Sequence, residues 1–298
     1  GKFVDVAIDY YTKTTDNLIF DRRVGPSVGY ASLRVNDGAL RNTGLEFDIT
    51  AHLLQTKKNY LDFTINGEMI ENRMLRLPID PATGKEKIID IDGLYGRAVG
   101  HSIFDFYTRE FAGVNPETGV SEWNVYWVDS NGDNIRQAAE NIKSMADFEA
   151  TATAETLRNV KVSRTATYAD GTTKFINKSP FPKVRGAFTL NGGLGNFDIS
   201  AQFLYSLGGY AYDGAYAGLM NSGGAAGGNN YHTDILARWQ KTGQATDVPR
   251  LSAGQDANVS SGSTRFITKS DFLTLNNVQI GYKVPSKFFT NSPITGVY

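Results

Sequence analysis

The sequence predicts an all-β protein: a piece of a large transmembrane antiparallel β-barrel with long extracellular loops. Three observations predict it. Apolar and polar residues alternate with period two in segments of about ten residues. The polar side of those segments carries Asp, Glu, Asn and Gln in mid-strand, which suits a wet interior. The connections are lopsided, a few residues at 191–196 but dozens at 72–100, 112–150 and 208–263. A sandwich of two soluble sheets is the competing architecture, because it too is built from two-faced strands. Unstructured loops of that length count against it.

Composition supports the strand reading and excludes other classes. The 298 residues include 31 Gly, 15 Tyr and 17 Phe but only 4 Met, a balance that favours sheet. A net charge of -1 gives no electrostatic reason to expect nucleic acid. With no cysteine there is no disulfide framework and no thiolate nucleophile. No apolar run approaches the roughly 18 residues of a membrane helix. Both ends of the sequence read as strand interior, so the chain is expected to be part of something longer.

The strands are legible in order. Val4, Val6, Ile8 and Tyr10 alternate with Asp5, Ala7, Asp9 and Tyr11. Leu45, Phe47, Ile49, Ala51 and Leu53 alternate with Glu46, Asp48, Thr50 and His52. Leu61, Phe63 and Ile65 alternate with Asp62, Thr64 and Asn66. Phe197, Ile199, Ala201, Phe203 and Tyr205 face away from Asp198, Ser200, Gln202, Leu204 and Ser206. Val278, Ile280 and Tyr282 oppose Asn277, Gln279 and Gly281. Turns are expected at 36–38 (NDG), 42–44 (NTG) and 191–196 (NGGLGN), and short helices at 134–150 and 233–241. Tyr10, Tyr11, Tyr60, Tyr205, Tyr210, Tyr212 and Tyr282 stand near strand ends, where an interfacial aromatic girdle would place them.

Few stretches suggest a site. Pro-x-Thr-Gly at 81–84 and 116–119 reads as a turn, with Gly in the left-handed position. Trp123, Tyr126 and Trp127 in EWNVYWV are candidates for contact with a ligand or partner, since flat aromatic side chains stack on sugars and anchor interfaces. Asp129, Asn131 and Asp133 alternate, and Glu140 stands where a calcium loop places its bidentate carboxylate. The sixth position is Asn134 rather than Gly, so calcium competes with ordinary Asn-Gly-Asp turn chemistry. The glycine-rich 221–230 lacks Gly-Lys-Ser/Thr and is not a phosphate cradle. No catalytic set of carboxylates or Ser-His-Asp type stands out, so an enzyme is not expected.

At 232–285 the residues meet a known pattern. Arg238, Trp239, Gly243, Thr246, Pro249 and Arg250 are followed by Ser263, Arg265 and Phe266. Leu275, Asn277, Val278, Ile280, Gly281, Tyr282 and Pro285 complete it. This segment resembles the C-terminal part of the SusC/RagA family of TonB-linked outer-membrane transporters. VDVAIDYYTKTTDNLIF, LRNTGLEFDI and the loop ending AGVNPETG are similar to further stretches of that family. Three departures are Gln244 for the usual Asp, Phe272-Leu273-Thr274 for Tyr-Leu-Arg, and Asn115 for the Asp of the loop motif. The resemblance covers nearly the whole chain and implies that residues 1–298 are the C-terminal part of a barrel of about 22 strands, without its plug and N-terminal region. It implies eight to ten late strands, a place in the cell outer membrane against lipid, and TonB-driven uptake of oligosaccharides or peptides. It also implies a SusD-like surface lipoprotein as lid. A soluble β-sandwich adhesin or glycan-binding module is the alternative.

Overall fold

A computed structural model describes residues 2–23, 29, 32–80, 83–224 and 230–289. Its frame is one antiparallel sheet of six long strands: β1 (Val4–Asp16), β2 (Ala39–Gln55), β3 (Asn59–Arg76), β4 (Val184–Leu194), β5 (Phe197–Leu207) and β6 (Phe272–Tyr282). Every strand pairs with the next in sequence, so the sheet is an up-and-down meander. Six long strands stand in place of the eight to ten expected, because much of the β-like sequence between them folds into loops above the sheet.

The register makes the period-two pattern a property of the whole sheet. One row across all six strands reads Val6, Ile49, Ile65, Phe188, Phe203 and Leu275. The neighbouring row reads Asp5, Thr50, Thr64, Thr189, Gln202 and Asn277. One face is therefore apolar and the other polar, until the loop end, where Thr12, Thr43 and Glu71 continue the apolar side. The apolar face is uncovered: Ile280 is 71% exposed, and Val6, Ile8, Leu45, Met69, Leu190 and Ile199 are exposed as well. No second sheet closes over it among the described residues, so the sandwich has no partner layer.

A bulge in β6 completes the face. The pairing with β5 shifts between Gln202 and Phe203, leaving Asn276 as an extra residue. Its side-chain amide donates to Gln202 Oε1 at 2.9 Å. The extra residue turns Leu273 and Leu275 onto the same side as Val278, Ile280 and Tyr282, which strict alternation would have opposed.

The connections alternate in length. Residues 56–58 and 195–196 make tight turns at one end, whereas 77–183 and 208–271 make long excursions at the other. The turns expected at 42–44 and through 191–194 are absent. Asn42–Gly44 lies inside β2, where Gly44 passes beneath the Tyr11 ring so closely that a Cβ would sit 2.4 Å from it. Asn191–Leu194 completes β4.

The expected aromatic girdle splits three ways. Tyr10, Tyr205 and Tyr282 share the apolar face, while Tyr11 and Tyr60 stand on the polar face. Tyr210 and Tyr212 belong to a short strand outside the main sheet. Tyr205 and Phe47 roof the facing pair Gly67 and Gly186, and the Tyr205 hydroxyl donates to the Asn66 carbonyl at 2.9 Å.

The two long connections fold together into a loop layer. Its centre is a four-stranded sheet of Phe111–Val114, Ser121–Val128, Asn141–Ile142 and Val160–Thr165. Short helices occupy Met145–Glu149, Ala154–Arg158 and Gly214–Leu219, each N-capped by a side-chain oxygen of Ser144, Thr153 or Asp213. The helix expected over 134–150 shrinks to its last residues, and 233–237 is a single 3-10 turn. Hydrogen bonds tie the excursions to each other: Phe111 N–H to Thr264 Oγ1 at 2.9 Å, Ser121 N–H to Asp256 Oδ2 at 3.0 Å and Tyr168 Oη to the Gly262 carbonyl at 2.8 Å. Ala217, Met220, Ile235 and Phe266 form one small core there. Phe20, Met74 and Leu77 form another where the layer meets the sheet.

Candidate functional site

The polar face of the sheet and the loop layer above it are the surfaces that present chemistry. Asp5, Asp9, Glu46, Asp48, Asp62, Glu68 and Asp198 stand on that face by register, against Lys13, Arg185 and His52. A recess of about 790 Å³ opens toward its loop end and includes Asp9, Glu46, Asp48, Glu68, Asn66 and Arg185. Arg185 pairs with Glu68 across the β3–β4 ladder. Farther down, His52 joins three strands: its Nε2 lies 2.9 Å from Asp5 Oδ2 and its Nδ1 2.8 Å from Asp62 Oδ1. Gln55 Nε2 donates to the same Asp62 oxygen at 2.7 Å. The Thr50 and Thr64 hydroxyls are 2.9 Å apart. Such side chains hydrogen-bond polar solutes and water without a covalent role.

The strand Ser121–Val128 alternates strictly between buried and half-buried positions. Trp123, Val125 and Trp127 point inward, and Tyr126 points the other way. Trp123 is 1% exposed and packs edge-on against Tyr168; Trp127 is 4% exposed and donates from Nε1 to Ser163 Oγ at 2.9 Å. The expected contact platform of Trp123, Tyr126 and Trp127 is corrected here: both indoles are core of the loop layer, with no face left for a ligand. Tyr126 is half-buried, its hydroxyl donating to Glu110 Oε2 at 2.8 Å and receiving Lys174 Nζ at 3.1 Å. Burial pushes its phenol pKa up.

The calcium expectation is likewise corrected. Asp129 accepts from the Gly132 and Asn134 amides at 2.8 and 2.9 Å and from Lys161 Nζ at 2.8 Å. Asp133 accepts from the Ile135 amide at 2.7 Å, from Asn131 Nδ2 at 2.9 Å and from Gln137 Nε2 at 3.0 Å. Glu140 accepts from the Ser130 amide and hydroxyl, both at 2.8 Å, and from the Gln137 amide at 3.1 Å. The carboxylates are thus engaged separately, Asp129 by the Lys161 ammonium and Asp133 and Glu140 by amide and hydroxyl donors. Among the described residues no group of three or more His, Cys, Asp or Glu could hold a metal ion. These bonds keep all three carboxyls below their usual pKa range, led by the Lys161 ammonium at Asp129, the Ile135 amide at Asp133 and the Ser130 amide at Glu140. In the two Pro-x-Thr-Gly stretches Gly84 and Gly119 take the expected left-handed position, at φ of 67° and 73°; Pro81 and Ala82 lie outside the described residues. Gly119 lies under the Trp239 ring.

The fold and its two-faced sheet define the class: part of an outer-membrane β-barrel. No protein-family model matches the chain. TonB-dependent receptor P3 of Formosa agariphila is 26% identical over 291 residues, covering 96% of this chain and 26% of the receptor. TonB-dependent receptor P39 of the same organism is 22% identical over 287 residues, 94% of this chain and 27% of its own length. Among solved structures, the RagAB peptide transporter aligns with a TM-score of 0.74 at 22% identity, covering 99% of this chain and 28% of the matched one. The RagAB peptide importer in its open-open state gives 0.69 at 20% identity. The chain is similar along nearly all of its length to TonB-dependent receptors and has the fold of the RagA-type barrel. It spans about a quarter of the length of the curated relatives it matches. Those relatives are receptors and transporters, not enzymes.

Proposed function

We propose that this chain supplies an arc of a plugged outer-membrane barrel that imports oligosaccharides or peptides, drawing energy through TonB. The single observation that carries the reading is the six-strand meander with one uncovered apolar face, one polar face and long connections at one end only. Lipid covers the apolar face in this reading, because hydrocarbon is the medium that leaves those side chains without cost. The polar face lines the lumen, where its hydrogen-bonding groups meet water, plug and passing solute. The loop layer faces the cell exterior and meets a SusD-like surface lipoprotein acting as lid. Import then proceeds by motion and not by bond chemistry: solute is held beneath the lid and released inward when the plug is displaced.

The test is uptake of labelled oligosaccharide and peptide pools by cells with and without the gene, before and after collapse of the proton gradient. Gene-dependent uptake that stops with the gradient supports the reading, and the pool taken up identifies the substrate class. Recovery of the intact protein in the aqueous fraction, or uptake indifferent to the gradient, refutes it.

A further inference from the structure

A second cavity, separate from the sheet recess, lies within the loop layer and has a volume of about 440 Å³. Phe111, Met220 and Phe266 give it apolar walls, Arg265 a cationic wall, and Asp247 and Tyr216 complete the lining. The Arg265 guanidinium lies over two rings, 5.3 Å from the Phe111 centroid and 4.8 Å from that of Phe266. Among the described residues its side chain makes a single hydrogen bond, Nη1 to the Val259 carbonyl at 2.8 Å. A guanidinium carries five N–H donors in a fork that matches a carboxylate, so most of its capacity is unspent. It makes no ion pair with a carboxylate among the described residues. Asp256 and Asp247 act on it only through space. Burial draws its pKa down to about 10, so the cation persists in a poorly hydrated place. Tyr216 makes no hydrogen bond to it among the described residues; its hydroxyl donates to Asp234 Oδ2 at 2.7 Å.

We propose that this cavity is a binding site for a small carboxylate ligand with a neighbouring hydrogen-bond donor. The carboxylate engages the Arg265 fork, the donor turns to Asp247 at the rim, and the rest lies on Phe111, Met220 and Phe266. Asp247 makes the site unfavourable for polyanions such as sulfate or phosphate, because it places a like charge beside them. Two sources carry the required chemistry: the C-terminus of a short peptide and a uronic acid. The inference goes beyond the transport reading and does not need it, since binding is measurable whether or not transport occurs.

The experiment is calorimetric titration of the intact protein in detergent micelles with four probes: Gly-Phe, Gly-Phe amide, glucuronate and glucose. Binding of Gly-Phe with at least tenfold loss for the amide supports the peptide source. Binding of glucuronate without glucose supports the sugar source. Arg265→Lys, which keeps the charge but loses the fork, is expected to weaken the bound acid about tenfold. The acid-against-amide and acid-against-neutral comparisons use wild-type protein, so they hold even if the variant folds poorly. Equal affinity for charged and neutral probes overturns the proposal. So does an absence of heat with all four up to about 10 mM, a limit near the weakest affinity one good ion pair supports.

Discussion

Placing one arginine at two depths on the apolar face measures what covers that face. Ile65 lies six residues beyond Asn59, the first residue of β3 next to the short turn. At ~3.4 Å per residue that is about 20 Å along the strand. A tilt of about 40° puts it about 16 Å above the turn, inside an apolar band about 25 Å tall. Leu194 ends β4 beside the other short turn and is 70% exposed. If lipid covers the face, Ile65→Arg costs about 2–4 kcal/mol and Leu194→Arg about 0–1 kcal/mol. The gap of about 2.5 kcal/mol between the midpoints is roughly seventyfold in the folding equilibrium. Ile65→Ala separates the lost contact with Ile49 and Phe188 from the cost of the charge. The assay is urea-titrated folding of the intact protein into phosphatidylcholine vesicles. Equal costs at the two depths, after subtraction of the alanine control, would refute the assignment of hydrocarbon to this face.

Other outcomes follow from the same geometry. Trp123→Ala removes the largest sealed side chain of the loop layer and should destabilise that layer by about 3–5 kcal/mol, read as faster proteolysis between residues 111 and 165. Gly186→Ala should block folding, because the new Cβ would lie 2.0 Å from the Asn66 carbonyl oxygen; a normal folded yield would contradict the register. Calcium at about 1 mM should leave the melting temperature unchanged, since Asp129, Asp133 and Glu140 already have their partners. The pH dependence of that loop has a definite sign. All three carboxyls have folded-state pKa values below their unfolded ones, so their contribution is complete above the unfolded range near about 4 and is lost as pH falls through the folded values. Hydrogen exchange at 129–141 should therefore be flat from pH 7 to 5, after correction for intrinsic rates, and quicken only below about pH 4.

The sequence by itself determined which side is greasy in β1, β2, β3, β5 and the second half of β6, because side-chain alternation depends only on the pleat and needs no partner; β4 was not read from it. It also showed that the connections are lopsided, although it divided the excursion 77–183 in two and put turns at 42–44 and 191–194 where strand continues. The same rule, applied to residues 121–128, separates Trp123 and Trp127 from Tyr126. Grouping the three by composition missed it. Only the tertiary structure decided how a strand corrects its own phase, since the bulge at Asn276 exists only against β5. It alone brought Lys161 to Asp129 and Arg185 to Glu68, across 32 and 117 residues of chain. Contacts of that kind are set by how separate segments pack, and no local pattern encodes them. The guanidinium of Arg265 belongs with them: its charge is written in the sequence, and its enclosure by Phe111 is a product of the fold.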